Sequence, residues 1–239
     1  MIKIKAYSLA DFIDKYLPAQ QAARGIRATV LHHTYRPRAE DYRGITTIEN
    51  IRSYHVHSRG WRDIGANAYA APDGKVYNGR PLNWSNYANA YISKSWSDLP
   101  ADLKKLAYPD RQFLNRRAFG IETIGDFDAE DPATSVAMKT SLDILAAAHR
   151  IWKVPVKHCF FHRDVAHKSC PGNKVGKAWV HEELRRRLEG ETELTPVMII
   201  LHGSSPPTVL ATAYMVANGN HVAKQGKLYV EALEVAEGD

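Results

Sequence analysis

Two stretches of this chain concentrate side chains that bind metals. In "LHHT", residues 31–34, two histidines close the apolar run "IRATVL". In "FHRDVAHKSCPG", residues 161–172, His162, His167, Lys168 and Cys170 fall within nine positions. A neutral imidazole is the commonest protein ligand for zinc, and a thiolate is another, at roughly 2.0–2.3 Å. A histidine at a strand end is equally an ordinary core or surface residue, so the pair alone leaves open whether His32, His33 or neither does chemistry. His162 and Cys170 are too far apart to meet on a helix face, but a loop can fold them together, and Pro171-Gly172 would end it sharply. A third feature is Glu122 in "FGIETIG". A carboxylate in an apolar strand costs stability unless something partners it.

These residues need a scaffold, and the pattern supplies one. "SLADFIDKYL" predicts a short helix capped by Ser8, with Leu9, Phe12, Ile13 and Tyr16 on one face. "IRATVL" predicts a strand running into His32. "TTIENIRSYHVHS" has helical spacing, with Ile48, Ile51 and His55 on one side. "ANAYAAPDGKVYNGRP" predicts a hairpin turning at Pro72-Asp73-Gly74. "AFGIETIG" and "VKHCFF" predict further strands, the second with Cys159 buried. "DPATSVAMKTSLDILAAAHRIW" predicts a long helix capped by Asp131, with Pro132 at its first position and Leu142, Leu145 and Ala148 on one stripe. "KAWVHEELRRRLEG" predicts a helix stopped by Gly190. Strands alternating with helices imply an α/β fold: a central mixed sheet flanked by helices. Residues 92–118 predict a polar surface excursion. After residue 190 the character changes: 191–195 suggest a linker, and 196–239 a small β-rich module.

The 239 residues are 44% hydrophobic and 24% charged, the composition of a folded globular chain. Two cysteines are too few for a disulfide framework. No apolar run approaches the ~20 residues of a membrane helix, and the first residues lack the apolar core of a signal peptide. The net charge of +6 is uneven: residues 191–239 hold six acids and two lysines, which leaves about +10 on the first 190. Such an excess favours an anionic partner. No aromatic-basic motif or DNA-reading helix signature points to nucleic acid.

Three motifs, "VLHHT", "HVHSRGWRDIGANAYAAPDGKVYNGRP" and "HRDVAHKSCPG", occur in an order that resembles the zinc-dependent N-acetylmuramoyl-L-alanine amidases. That family includes amidase-type phage lysozymes and the peptidoglycan recognition proteins. The resemblance covers roughly residues 26–186. It implies one Zn²⁺ held by His32, His162 and Cys170, with a fourth position open for catalysis. His33 is then a packing residue, His55 and His57 are structural, and His167 is exposed.

Many members of the family carry a tyrosine directly after "DIG" that orients or deprotonates the attacking water; here the position is Ala66. Some amidases of the superfamily use a glutamate in a "GIE" strand as general base, and Glu122 matches it. Lys168, two residues before Cys170, matches the family's lysine, a cation suited to an oxyanion. The resemblance implies hydrolysis of the amide between N-acetylmuramic acid and L-alanine in peptidoglycan, by a phage or prophage endolysin made in the cytoplasm and released to the wall. Expected alternatives are a peptidoglycan-binding protein without turnover, and a host autolysin or spore-wall hydrolase of the same chemistry. Neither nucleic acid nor membrane insertion is expected. The tail, weakly similar to small wall-associated repeats resembling the N-terminal domain of copper amine oxidases, is expected to bind cell wall, contact a second copy, or serve as a packing appendage.

Overall fold

The computed structural model describes residues 1–20, 25–86, 88, 91–189, 194–200, 209–216 and 228–232. Six strands, β1 (Ala6–Tyr7), β2 (Ala28–His33), β3 (Ala68–Ala70), β4 (Val76–Asn78), β5 (Ala118–Thr123) and β6 (Cys159–Phe161), form one mixed sheet in the order β1-β4-β3-β5-β2-β6. β2 runs parallel to β5 on one side and to β6 on the other. All six of its residues are buried, which is why it reads as a continuous apolar run rather than an alternating one. β3 joins β5 in parallel and forms the expected hairpin with β4, whose turn passes through Gly74 at φ 77°. β1 completes the sheet antiparallel to β4.

The long helix, Val136–Ile151, packs across β2, β3 and β5 and buries Leu142, Leu145 and Ala148 as expected. Two buried polar contacts fix it to the sheet: Thr123 Oγ1 with Ser141 Oγ at 2.7 Å, and Thr29 Oγ1 with His149 Nε2 at 2.9 Å. A buried hydroxyl or imidazole costs little once so paired. The helix starts later than expected. Its cap is Ser135, which accepts the Met138 amide at 3.2 Å, and not Asp131. Asp131 is taken up by a preceding turn in which it accepts the Ala133 amide at 2.9 Å.

Helix Ile45–Ser53 runs on as a π-helical segment, Tyr54–Ser58, and buries Ile48, Ile51 and His55. Ser8 caps the first helical segment by accepting the Asp11 amide, and the Phe12 and Tyr16 rings stack at 4.8 Å. Residues 92–118 correct an expectation. They are not a polar excursion, because they carry helices Ala101–Ala107 and Phe113–Arg117, whose Leu103, Ala107, Phe113 and Leu114 join Ala28, Val30 and Phe160 in one apolar cluster. Short helices with two or three apolar residues each look polar by composition although their inner faces are not.

Backbone contacts divide the chain into Met1–Leu184 and Arg185–Asp239. In the second unit β7 (Leu194–Ile200), β8 (Val209–Val216) and β9 (Leu228–Ala232) form an antiparallel sheet in that order. β7 begins inside the stretch that the sequence suggests as a linker. Gly190 and residues 191–193 lie outside the described residues. No helix among the described residues is long and apolar enough to cross a membrane.

A chain ending at residue 190 is expected to fold on its own, since the six-stranded sheet draws every strand from before it. Circular dichroism and thermal unfolding check this. Loss of the cooperative transition would show that the first unit depends on the second.

Candidate metal centre

β2 delivers His32 to the end of the sheet, and β6 delivers His162 by leading directly into the one-turn helix His162–Val165. The two imidazole rings meet edge to face with centroids 5.0 Å apart. Cys170 returns from the following loop with its Sγ 3.5 Å from His32 Nδ1. One ligand atom from each of His32, His162 and Cys170 lies within 4.8 Å of the others.

The loop that returns Cys170 is held from inside by Arg163. Its backbone amide donates to the Cys170 carbonyl at 2.9 Å, and its Nη1 donates to the Gly172 carbonyl at 2.6 Å. Ser169 Oγ donates to Asp128 at 2.7 Å, and the Asn173 amide donates to the same carboxylate at 2.7 Å. Those two bonds hold the Asp128 carboxyl below the usual carboxylate range. Gly172 is required here. Its φ is 114°, and a Cβ would stand 2.4 Å from the Phe127 carbonyl carbon.

Glu122 stands directly beside His32 in the β2–β5 pairing, half-buried, with Oε2 enclosed and taking no hydrogen bond. Burial raises its carboxyl to about 7, and the neighbouring Tyr69 hydroxyl acts in the opposite direction. Lys168 is exposed and borders the same cleft, a cavity of about 420 Å³ that also touches the three ligand residues and Glu122. His33 does not join the ligand cluster. Its Nδ1 accepts the Phe127 amide at 3.2 Å and its ring stacks on Phe127, so it packs, though it too borders the cleft. His55 packs as well, its ring stacked on Trp61 at 4.6 Å and its Nδ1 accepting the Gly65 amide at 3.2 Å. A Cβ at position 65 would sit 2.6 Å from the Trp61 ring, so glycine is what admits the indole. His167 is exposed. Ala66 is fully buried in an apolar cluster with Ile64 and Tyr69. The walls made by Tyr35, Trp61 and His55, and the approach of Tyr69 to Glu122, were not legible from motif spacing.

The residues fit a zinc ion. Tetrahedral bonds of 2.0–2.3 Å put neighbouring ligand atoms roughly 3.5 Å apart, the spacing of Cys170 Sγ and His32 Nδ1. Burial, aided by the charge of Lys168, lowers His162 to about 4 and keeps its ring neutral, the form that ligates. Burial raises the Cys170 thiol to about 12, so an unmetallated site holds a thiol whose proton a metal must displace. Cys170→Ser is expected to lose at least tenfold in zinc affinity, while His33→Gln keeps wild-type stoichiometry. Wild-type affinity should weaken as pH falls, because the thiol proton must leave. Metal analysis after dialysis across a pH series checks this, and full retention in Cys170→Ser would remove the cysteine from the ligand set.

Residues 22–173 match the family described as N-acetylmuramoyl-L-alanine amidase. Peptidoglycan-recognition protein SC2 of Drosophila melanogaster is 28% identical over 152 residues, covering 61% of this chain and 68% of its own length. Peptidoglycan recognition protein 1 of Bos indicus is 30% identical over 137 residues, covering 56% of this chain and 60% of its own length. The solved structure of N-acetylmuramoyl-L-alanine amidase LysC from Clostridium intestinale URNW is 25% identical, with 69% of this chain and 89% of that chain covered and a TM-score of 0.48. With the matched span enclosing the ligand cluster and Glu122, the chain belongs to the N-acetylmuramoyl-L-alanine amidase family, which takes in both catalytic amidases and non-catalytic peptidoglycan recognition proteins.

Proposed function

We propose that this protein is a zinc amidase that hydrolyses the amide between N-acetylmuramic acid and L-alanine in peptidoglycan. The observation that carries this reading is the coincidence of a three-ligand cluster with a carboxyl oxygen beside it, Glu122 Oε2, that is enclosed and unbonded among the described residues. A purely structural carboxylate would be expected to spend both oxygens on donors. Zinc, when bound, supplies the positive charge that polarises the amide carbonyl and acidifies water.

The chain's own residues do the rest. His32, His162 and Cys170, all bordering the cleft, would hold the metal. Glu122 takes a proton at Oε2 from the attacking water and returns it to the leaving amine of alanine. Lys168, exposed at the rim of the cleft, places a cation against the developing oxyanion. The positive charge of the first 190 residues suits adhesion to an anionic wall. An endolysin reaching the wall by release from the cell is the setting we favour, with the 196–239 module as a wall-binding appendage.

Binding without turnover is the competing reading within the same family. The retained thiolate ligand and Glu122 favour turnover over it. Glu122→Gln keeps size and shape but removes the proton acceptor, and general-base loss costs ~10²–10⁴ in rate. The kcat on a defined muramyl-peptide should fall by that order at unchanged zinc content. Lys168→Ala should lower kcat with a smaller effect on KM. Equal turnover by wild type and Glu122→Gln would move the base elsewhere, and no dye release from labelled walls by the zinc-loaded wild type would leave a binding protein.

A further inference from the structure

Three side chains form a row across the sheet. Pairing sets Tyr69 of β3 opposite Glu122 of β5, and Glu122 opposite His32 of β2. Residues paired across strands project to the same face. One end of the row is therefore a ligand of the candidate metal site, and the other is a fully buried phenol.

The backbone fixes the acceptor side of that phenol. The Ala66 amide donates to Tyr69 Oη at 3.0 Å. A hydroxyl has one proton, and an amide N–H can only donate, so the Tyr69 proton must go to a different partner. Across the β3–β5 pairing the group that faces the phenol is the Glu122 carboxyl, whose charge bears on it. Burial, together with the nearby Glu122 charge, keeps the phenol protonated far above neutral pH, so it stays a donor. Glu122 thus has one oxygen available to Tyr69 and a second, Oε2, that is enclosed and unbonded among the described residues.

We propose that Tyr69 is a positioning residue: it donates to one oxygen of Glu122, fixes the rotation of the carboxyl, and leaves Oε2 as the oxygen that receives the proton. The proposal rests on the reading of Glu122 as general base. It also gives Ala66 a place in the site. The position after "DIG" contributes no side chain to the cleft, and its backbone amide instead holds the hydroxyl that arrives three residues later. A carboxylate free to rotate would spend part of its time with neither oxygen aligned, and misplacement on the ångström scale costs on the order of a hundredfold in rate.

Tyr69→Phe removes the hydroxyl and keeps the ring. We expect kcat on a defined muramyl-peptide to fall on the order of tenfold to a hundredfold, with KM and zinc content close to wild type. The loss should vanish in a Glu122→Gln background, because the hydroxyl acts only through that carboxylate. An activity-independent readout is the infrared carboxyl band of Glu122 in the metal-free full chain, assigned by its disappearance in Glu122→Gln. This band should shift in Tyr69→Phe. Wild-type kcat in Tyr69→Phe overturns the positioning role whether or not the band moves, and so does an unshifted band. Full turnover by Glu122→Gln alone overturns the base assignment instead, and the band still reports the contact. If Tyr69→Phe does not fold, 3-fluorotyrosine at position 69, whose proton is more acidic, should shift the band and kcat; wild-type values of both would overturn the proposal.

Discussion

The structure depends on the burial of β2 between two parallel partners. Every backbone amide and carbonyl of a strand so enclosed has to be paired, and here β5 and β6 supply the pairs from either side. The register this imposes is strict, since a slip by one residue would turn each buried side chain to the opposite face. His32 falls beside Glu122 for that reason, and β6 ends where His162 can meet His32. The chemistry at the end of the sheet is thus set by the hydrogen-bond ladder in its middle.

A second constraint acts on the candidate ligand that the sheet does not carry. Cys170 lies on a loop, and loops are where geometry is ordinarily loose. This one is braced by a single guanidinium and a single carboxylate, Arg163 reaching loop carbonyls from within and Asp128 collecting donors from Ser169 and Asn173. Gly172 lets the chain pass against the Phe127 backbone, where any side chain would collide. Preorganisation of this kind suits a metal site, because a ligand that must be ordered on binding lowers affinity by the entropy it loses.

Burial then sets the electrostatics. It pushes His162 and Cys170 toward their neutral forms and raises Glu122 toward neutrality. A dication would reverse the last two, since opposite charge favours the ionised state of a carboxyl and of a thiol. The apolar surroundings that make the empty charge pattern costly are the same surroundings that strengthen attraction to a metal.

Much of this was legible in the sequence. The strand leading to His32, the Gly74 hairpin, the long helix with its Leu142–Leu145 stripe and the family resemblance all follow from local pattern, because periodicity, turn residues and motif spacing are properties of neighbouring residues. The candidate trio His32, His162 and Cys170 was picked out only through the resemblance, as spacing alone could not choose between His32 and His33, and the structure brings the three together. The sequence misplaced the long helix's cap, because Asp131 and Ser135 are both good caps and the structure engages Asp131 in a preceding turn. It also read residues 92–118 as polar, because short amphipathic helices show too few apolar residues to reveal their buried faces. Only the tertiary structure put Tyr69, Glu122 and His32 in one row and set Trp61 against His55. The row joins segments far apart along the chain and is decided by strand register, and the ring pair is decided by packing across a turn; no local pattern encodes either.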